Sequence, residues 1–187
     1  ASERIRKRQV HLGQVNSGNV NRTYALSYLD PYFTVDGISQ GFDVYHRAVN
    51  ASSLAVGRYG TSTLGGAVRF GYPLSETDGV SFALTAESVD LDVFTDSPAT
   101  YVNFANLFGS KYTYGSGSVG WGRDTRDSAI QPSRGSASNA SVELAGGDLQ
   151  YYRLGVAHRW YTPLTRSLTL SLNGDLGYVH GLGDKPV

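Results

Sequence analysis

The sequence predicts an all-β chain, an antiparallel transmembrane β-barrel present in part, with about nine strands. Three observations carry this. Apolar and polar residues alternate along almost the whole chain, and helical periodicity is nearly absent. Many of the alternating runs last about ten residues or more, beyond the five or six usual in soluble sheets and suited to a tilted strand crossing a bilayer. Finally, rows of apolar side chains oppose rows of polar ones within one strand, and aromatics gather at strand ends.

The composition agrees with that class. Among 187 residues there are no cysteines, so disulfides and thiolate metal sites are excluded. There is no Met either, so Ala1 is not a native translation start. The 16 basic residues balance 16 acidic ones, which argues against a nucleic-acid surface. Thirteen Tyr against 7 Phe, together with 23 Gly, suit closely packed strands that cross an interface. A mean hydropathy of −0.26 does not count against a membrane barrel, because alternation averages out. No run approaches the ~18 apolar residues of a membrane helix, and no secretory signal opens the chain.

The elements follow in order. Glu3 to Arg8 is a charged lead-in, better explained as a solvated end than as a lipid or nucleic-acid patch. A first strand covers 8–15, and Asn16-Ser17-Gly18-Asn19 turns the chain. The strand 21–33 puts Tyr24, Leu26 and Tyr28 on one face. Asp30-Pro31-Tyr32-Phe33-Thr34-Val35-Asp36-Gly37 then makes a turn. Pro31 fixes φ and lacks an N–H, and Asp36-Gly37 is a turn-favouring pair. Large aromatics beside a turn, here Tyr32 and Phe33, suit a membrane–water interface.

Beyond the turn, strand 38–49 sets Phe42 and Val44 against Asp43, Tyr45 and Arg47. Strand 60–73 sets Leu64, Val68, Phe70 and Tyr72 against Thr63, Gly65, Ala67 and Arg69. Strand 80–94 sets Val80, Phe82 and Leu84 against Ser81, Thr85 and Glu87. The irregular stretch 95–110 holds Tyr101 to Phe108, a short helix or a capping loop. Strand 111–123 is Gly-rich, and 124–135 is a turn with Pro132 and Gly135. Strand 137–145 carries Val142 and Leu144, and Gly146-Gly147-Asp148 turns tightly. Strand 149–162 opposes Tyr152, Leu154, Val156 and Trp160 to Tyr151, Arg153, Gly155 and Arg159. Strand 168–180 opposes a row of Leu (168, 170, 172, 176) to Thr169, Ser171, Asn173 and Asp175. Pure Leu on one side suits lipid outside and a polar lumen inside, although a soluble barrel with the apolar row inward has the same parity. The links after 38–49 and 80–94 are longer and more irregular than the rest, as expected when loops and turns occupy opposite sides of a membrane.

Chemical motifs are weak. Gly115-Ser116-Gly117-Ser118-Val119-Gly120 fits G-x-G-x-x-G, but Trp121-Gly122-Arg123-Asp124 starts no helix to meet a pyrophosphate. His11, His46, His158 and His180 are scattered without metal-ligand spacing. A Ser-His-Asp site built on His46 or His158 lacks a nucleophile elbow. No residue is expected to be catalytic, and no cofactor or metal is expected. Asp43, Arg47, Arg69, Glu87, Arg123, Arg153, Arg159 and Asp175 are placed on the lumen face, pairing across strands rather than selecting ions. Asn21, Asn50 and Asn139 open N-x-Ser/Thr sequons, a pattern that matters only in a glycosylated protein.

The turn 30–37, with Tyr24-Ala25-Leu26-Ser27-Tyr28 before it and Ile38-Ser39-Gln40-Gly41-Phe42 after it, resembles the barrel of the BamA family of outer-membrane protein assembly factors. Gly71-Tyr72-Pro73-Leu74 resembles the family's strand-ending Gly-aromatic-Pro, and Asp124 to Gly135 its Asp-Arg…Pro…Gly periplasmic turn. Gly177-Tyr178 with Gly181-Leu182-Gly183 resembles the strand end before its sixth extracellular loop. The matches cover about 20–183 in order; residues 1–19 fit poorly and are set apart from a barrel segment 20–187.

The resemblance implies an internal run, roughly the third to the eleventh, of a sixteen-stranded barrel in the bacterial outer membrane. Periplasmic transport-associated domains are expected before this chain, and an Arg-Gly-Phe loop motif and the closing strand after it. The implied function is folding and insertion of client outer-membrane proteins by exposed strand edges and lipid mismatch, without covalent chemistry. Implied partners are the bilayer, those clients, and assembly-machinery lipoproteins reached through the other domains. Asp30, Pro31, Tyr32, Phe33, Asp36 and Gly37 are then a structural periplasmic turn. Two other classes stay open: a pore or two-partner-secretion transporter barrel, and a soluble β-barrel holding an apolar ligand.

Overall fold

A computed structural model describes residues 9–18, 20–50, 59–94, 96–165 and 167–183. The charged lead-in Glu3–Arg8 and the sequon at Asn50-Ala51-Ser52 fall wholly or partly outside these residues. Nine strands form one sheet: β1 (Val10–Ser17), β2 (Asn21–Asp30), β3 (Ser39–Asn50), β4 (Tyr59–Pro73), β5 (Asp78–Val93), β6 (Lys111–Asp124), β7 (Gly135–Gly147), β8 (Tyr151–Pro163) and β9 (Thr169–Gly181). One helix, α1 (Ala99–Phe108), interrupts the link from β5 to β6. The strands lie side by side in chain order, every neighbouring pair antiparallel. Such a meander needs no crossover, so each turn fixes the register of the next pair. β1 pairs with β2 from Val10 to Ser17, so the strand expected over 8–15 forms, shifted by two residues, within the stretch 1–19 set apart from the barrel segment.

The register sorts side chains into two faces. On one, Leu26 meets Val44, Val68 meets Leu84, Val119 meets Val142, and Val156 meets Leu176. This face has no cover: Leu84 is 68% and Leu176 80% exposed. On the other, Ser27 meets Asp43, Gly65 meets Glu87, Glu143 meets Arg153, and Ala157 meets Asp175. β1 is the exception, because Leu12 pairs with Ser27 and so lies on the polar face. A continuous bare apolar face opposite a hydrated one has lipid as its natural solvent. No described helix is long and apolar enough to cross a membrane.

The two ends of the sheet differ. One carries the links 31–38, 74–77, 125–134 and 164–168; the other carries the links at 18–20 and 148–150 and the helix-bearing link 94–110. They are called the turn end and the helix end below. The expected contrast in link length is only partial among the described residues: the ten-residue link 125–134 lies at the turn end and the three-residue link 148–150 at the helix end, while the link after β3, expected to be long, lies outside the described residues. The buried apolar residues are Val89, Leu91, Ala145, Leu149 and Tyr151, all toward the helix end, with Phe104 and Phe108 of α1 packed on the last three. Tyr101 of α1 stacks on Tyr59 of β4, ring centroids 4.3 Å apart. Of the two forms expected for this stretch, a short helix or a capping loop, the helix forms because Tyr101, Phe104 and Phe108 share one face and have aromatic partners on the sheet.

Candidate functional site

The polar face is a network, built up strand by strand. Asp43 in β3 takes a bond from Ser27 Oγ in β2 (2.6 Å) and an ion pair from Arg69 in β4 (2.7 Å). Tyr45, two residues along β3, reaches past β4 to donate to Glu87 in β5, whose other oxygen accepts from Tyr114 in β6. That reach needs Gly65: a Cβ there would stand 2.6 Å from Tyr45 Cζ. Glu143 in β7 accepts from Tyr151 (2.6 Å) and Arg153 (2.9 Å), both in β8. The Tyr114 and Tyr151 rings, 6.4 Å apart, link the two carboxylate centres. Every carboxylate in this belt is held by phenol or guanidinium. The arrangement fixes strands to one another and leaves none of these three carboxylates free to act as a general acid or base.

The expected lumen charges divide accordingly. Asp43, Arg69, Glu87 and Arg153 lie in the network, and Arg47 sits over the Tyr45 ring at 5.9 Å. Arg159 and Asp175 share this face but have no ion pair among the described residues. Arg123 does not belong here. It has the parity of Val119 and Trp121 and pairs with Asp78 and Ser138, so it lies on the apolar face at the turn end. Alternation counted from Trp121 places it there. Its charge alone made the lumen seem the natural home. Sequence reasoning missed Glu143, Tyr114 and Tyr151 as partners. The available signal was a Tyr beside a Gly one strand away, with a Glu beyond.

The turn 31–38 is built locally. Asp30, only 4% exposed, accepts from the Tyr32 N–H at 3.1 Å, and Phe33 N–H bonds Ile38 O at 2.8 Å. Gly37 has φ +81°, the conformation that favours glycine. The side chain that caps the Ile38 N–H is Thr34 (3.2 Å), while Asp36 makes no side-chain bond among the described residues. Pro31 opens the turn, and Tyr32 and Phe33 stand about half exposed at the rim. The link 125–134 is tied more tightly. Asp127 accepts from the Ser133 hydroxyl and from the N–H groups of Ser133 (2.9 Å) and Arg134 (3.1 Å). These bonds, the Ser133 hydroxyl first, hold its carboxyl down at about 2. Gly135, φ +103°, leaves no room for a Cβ against the Thr125 carbonyl.

The weak chemical motifs find no site. The G-x-G-x-x-G stretch lies inside β6. Ser62 and His46 (3.1 Å) and Ser138 and His158 (2.9 Å) pair across strands on the apolar face, but neither ring meets a carboxylate among the described residues. No group of three metal-ligating side chains occurs among the described residues.

Residues 11–187 match the Omp85 superfamily domain. The outer membrane protein assembly factor BamA of Neisseria meningitidis serogroup B is 39% identical over 171 residues, covering 85% of this chain and 22% of that protein. The chain thus spans about a fifth of the length of this curated relative. The crystal structure of BamA from Haemophilus ducreyi lacking POTRA domains 1-3 superposes with a TM-score of 0.78 at 24% identity, over 90% of this chain and 35% of that one.

Proposed function

The chain belongs to the Omp85 superfamily, as a segment of a bacterial outer-membrane β-barrel, and we propose that it forms part of the wall of an outer-membrane protein assembly factor. The observation that carries this is the sheet itself: nine strands in sequential order, one face bare and apolar, the other a fixed polar network. A wall of this kind contributes rigidity and a lipid boundary. The work on client proteins is done without covalent chemistry, at strand edges and through the bilayer around them. Its partners are the bilayer and client outer-membrane proteins, with lipoprotein subunits of the machinery reached through other parts of the parent protein.

In this reading the turn end faces the periplasm. Asp30, Pro31, Tyr32, Phe33, Asp36 and Gly37 form a structural turn there, with Tyr32 and Phe33 in the inner aromatic girdle. The test uses the full-length parent in proteoliposomes. Accelerated folding of an added unfolded outer-membrane protein is expected, read from its heat-modifiable gel mobility. Steady conductance in planar bilayers with no acceleration would replace this reading with the pore.

A further inference from the structure

Arg123 is a cation on the lipid side of the sheet. In register, Asp78, Arg123, Ser138 and His158 stand side by side across β5, β6, β7 and β8 on the apolar face. Trp121, 38% exposed, is the next residue on that face in β6, and Trp160, 43% exposed, the next in β8. Indoles gather where acyl chains meet head groups, so this row lies at head-group depth at the turn end.

Asp78 and Arg123 are cross-strand partners of opposite charge, yet no ion pair within 4 Å joins them among the described residues. Asp78 instead accepts from the Ser75 (3.1 Å) and Thr77 (2.9 Å) hydroxyls, which hold it in the turn 74–77, while the Trp121 indole and the Arg123 charge act on it from the neighbouring strand. Ser138 bonds His158 Nδ1 at 2.9 Å, leaving the far ring nitrogen of His158 without a partner among the described residues. An anion and a cation, adjacent but not joined, are complementary to a head group that carries both charges. Arg123 can fork onto a phosphate, and Asp78 can accept from a primary ammonium. Beyond Ser138, the small outward residue Ala140 of β7 leaves room for an acyl chain beside Trp121.

We propose that this row binds a phospholipid whose head group carries a primary amine, its phosphate on Arg123 and its ammonium on Asp78, with Ser138 and His158 lending further polar contacts to the phosphate. This rests on the sheet being a membrane wall and is independent of which side the turns face.

The test is native mass spectrometry of the full-length parent, delipidated in non-ionic detergent and titrated with phosphatidylethanolamine, phosphatidylcholine and phosphatidylglycerol of identical chains. The ethanolamine lipid should be retained several-fold better than the other two. Asp78→Asn should lower it to the choline level, and Arg123→Gln should lower all three. Arg47→Gln on the polar face should change nothing. Ser75→Ala weakens the turn but keeps the charge, so it should preserve the preference and thereby separate recognition from folding. Equal retention of the three lipids, or best retention of phosphatidylglycerol, would overturn the proposal.

Discussion

At the scale of single residues, the polar face depends on what one glycine omits. Tyr45 crosses β4 only because Gly65 has no Cβ, and the bond to Glu87 links β3 to β5 over the strand between them. Gly65→Ala forces the ring aside, and overpacking of this kind costs about 1–3 kcal/mol. In a Tyr45→Ala background the same change should cost almost nothing, since the obstructing ring is gone. Urea midpoints of the parent barrel, read by gel mobility in a double-mutant cycle, check this. Equal costs in both backgrounds would remove the ring from the explanation. Asp127 gives a second expectation. Its carboxyl is depressed from 3.8 to about 2 by bonds present only in the folded link. Its contribution is therefore complete above about pH 4 and is lost as pH falls through about 2. Amide exchange at Ser133 and Arg134, referenced to the strands and corrected for intrinsic rates, should accelerate in that window. In Asp127→Asn the pH dependence should disappear.

At the scale of elements, strand existence and facing were legible because alternation is an elementary consequence of the pleat. The run 168–180, with Leu on one parity and Thr, Ser, Asn and Asp on the other, appears as β9 within one residue at each end. Boundaries moved where turns supply pairing: 21–33 shortened to β2 because Asp30 starts capping before Tyr32, and 137–145 lengthened to β7 because Gly135 and Gly147, both at positive φ, continue the ladder. The location of α1 was legible, but its docking was not, since Tyr101 meets Tyr59 of β4, 42 residues earlier in the chain, and no local pattern marks that pairing. Arg123 was misplaced because charge was weighed above parity. β9 also gives the clearest test of facing. Leu176→Arg puts a charge at the middle of the lipid side and should cost about 2–4 kcal/mol, whereas Asn173→Arg on the polar side should cost under about 1 kcal/mol. Folding of both variants of the parent into vesicles measures the difference, and equal costs would deny the lipid facing.

At the scale of the whole molecule, the sheet has two open edges. Among the described residues β1 bonds only β2, and β9 only β8, so the outer backbone groups of both lack a ladder partner there. Inside hydrocarbon each unmet group costs several kcal/mol, and that penalty is what drives barrels to close. The Tyr45–Glu87–Tyr114 and Glu143–Arg153 contacts tie strands together across the polar face, but the nine described strands in a line leave a ring unfinished. In the larger barrel proposed above, further strands would meet those edges. In the isolated 187-residue chain nothing covers them except another copy. The isolated chain should therefore self-associate in detergent as its concentration rises, seen as oligomers by light scattering, while the full-length parent stays monomeric under the same conditions. Pro substitutions at edge N–H positions of β9, which remove donors that a second copy would use, should weaken that association. A monomeric isolated chain with fully protected β1 and β9 amides would mean instead that the nine strands close on themselves.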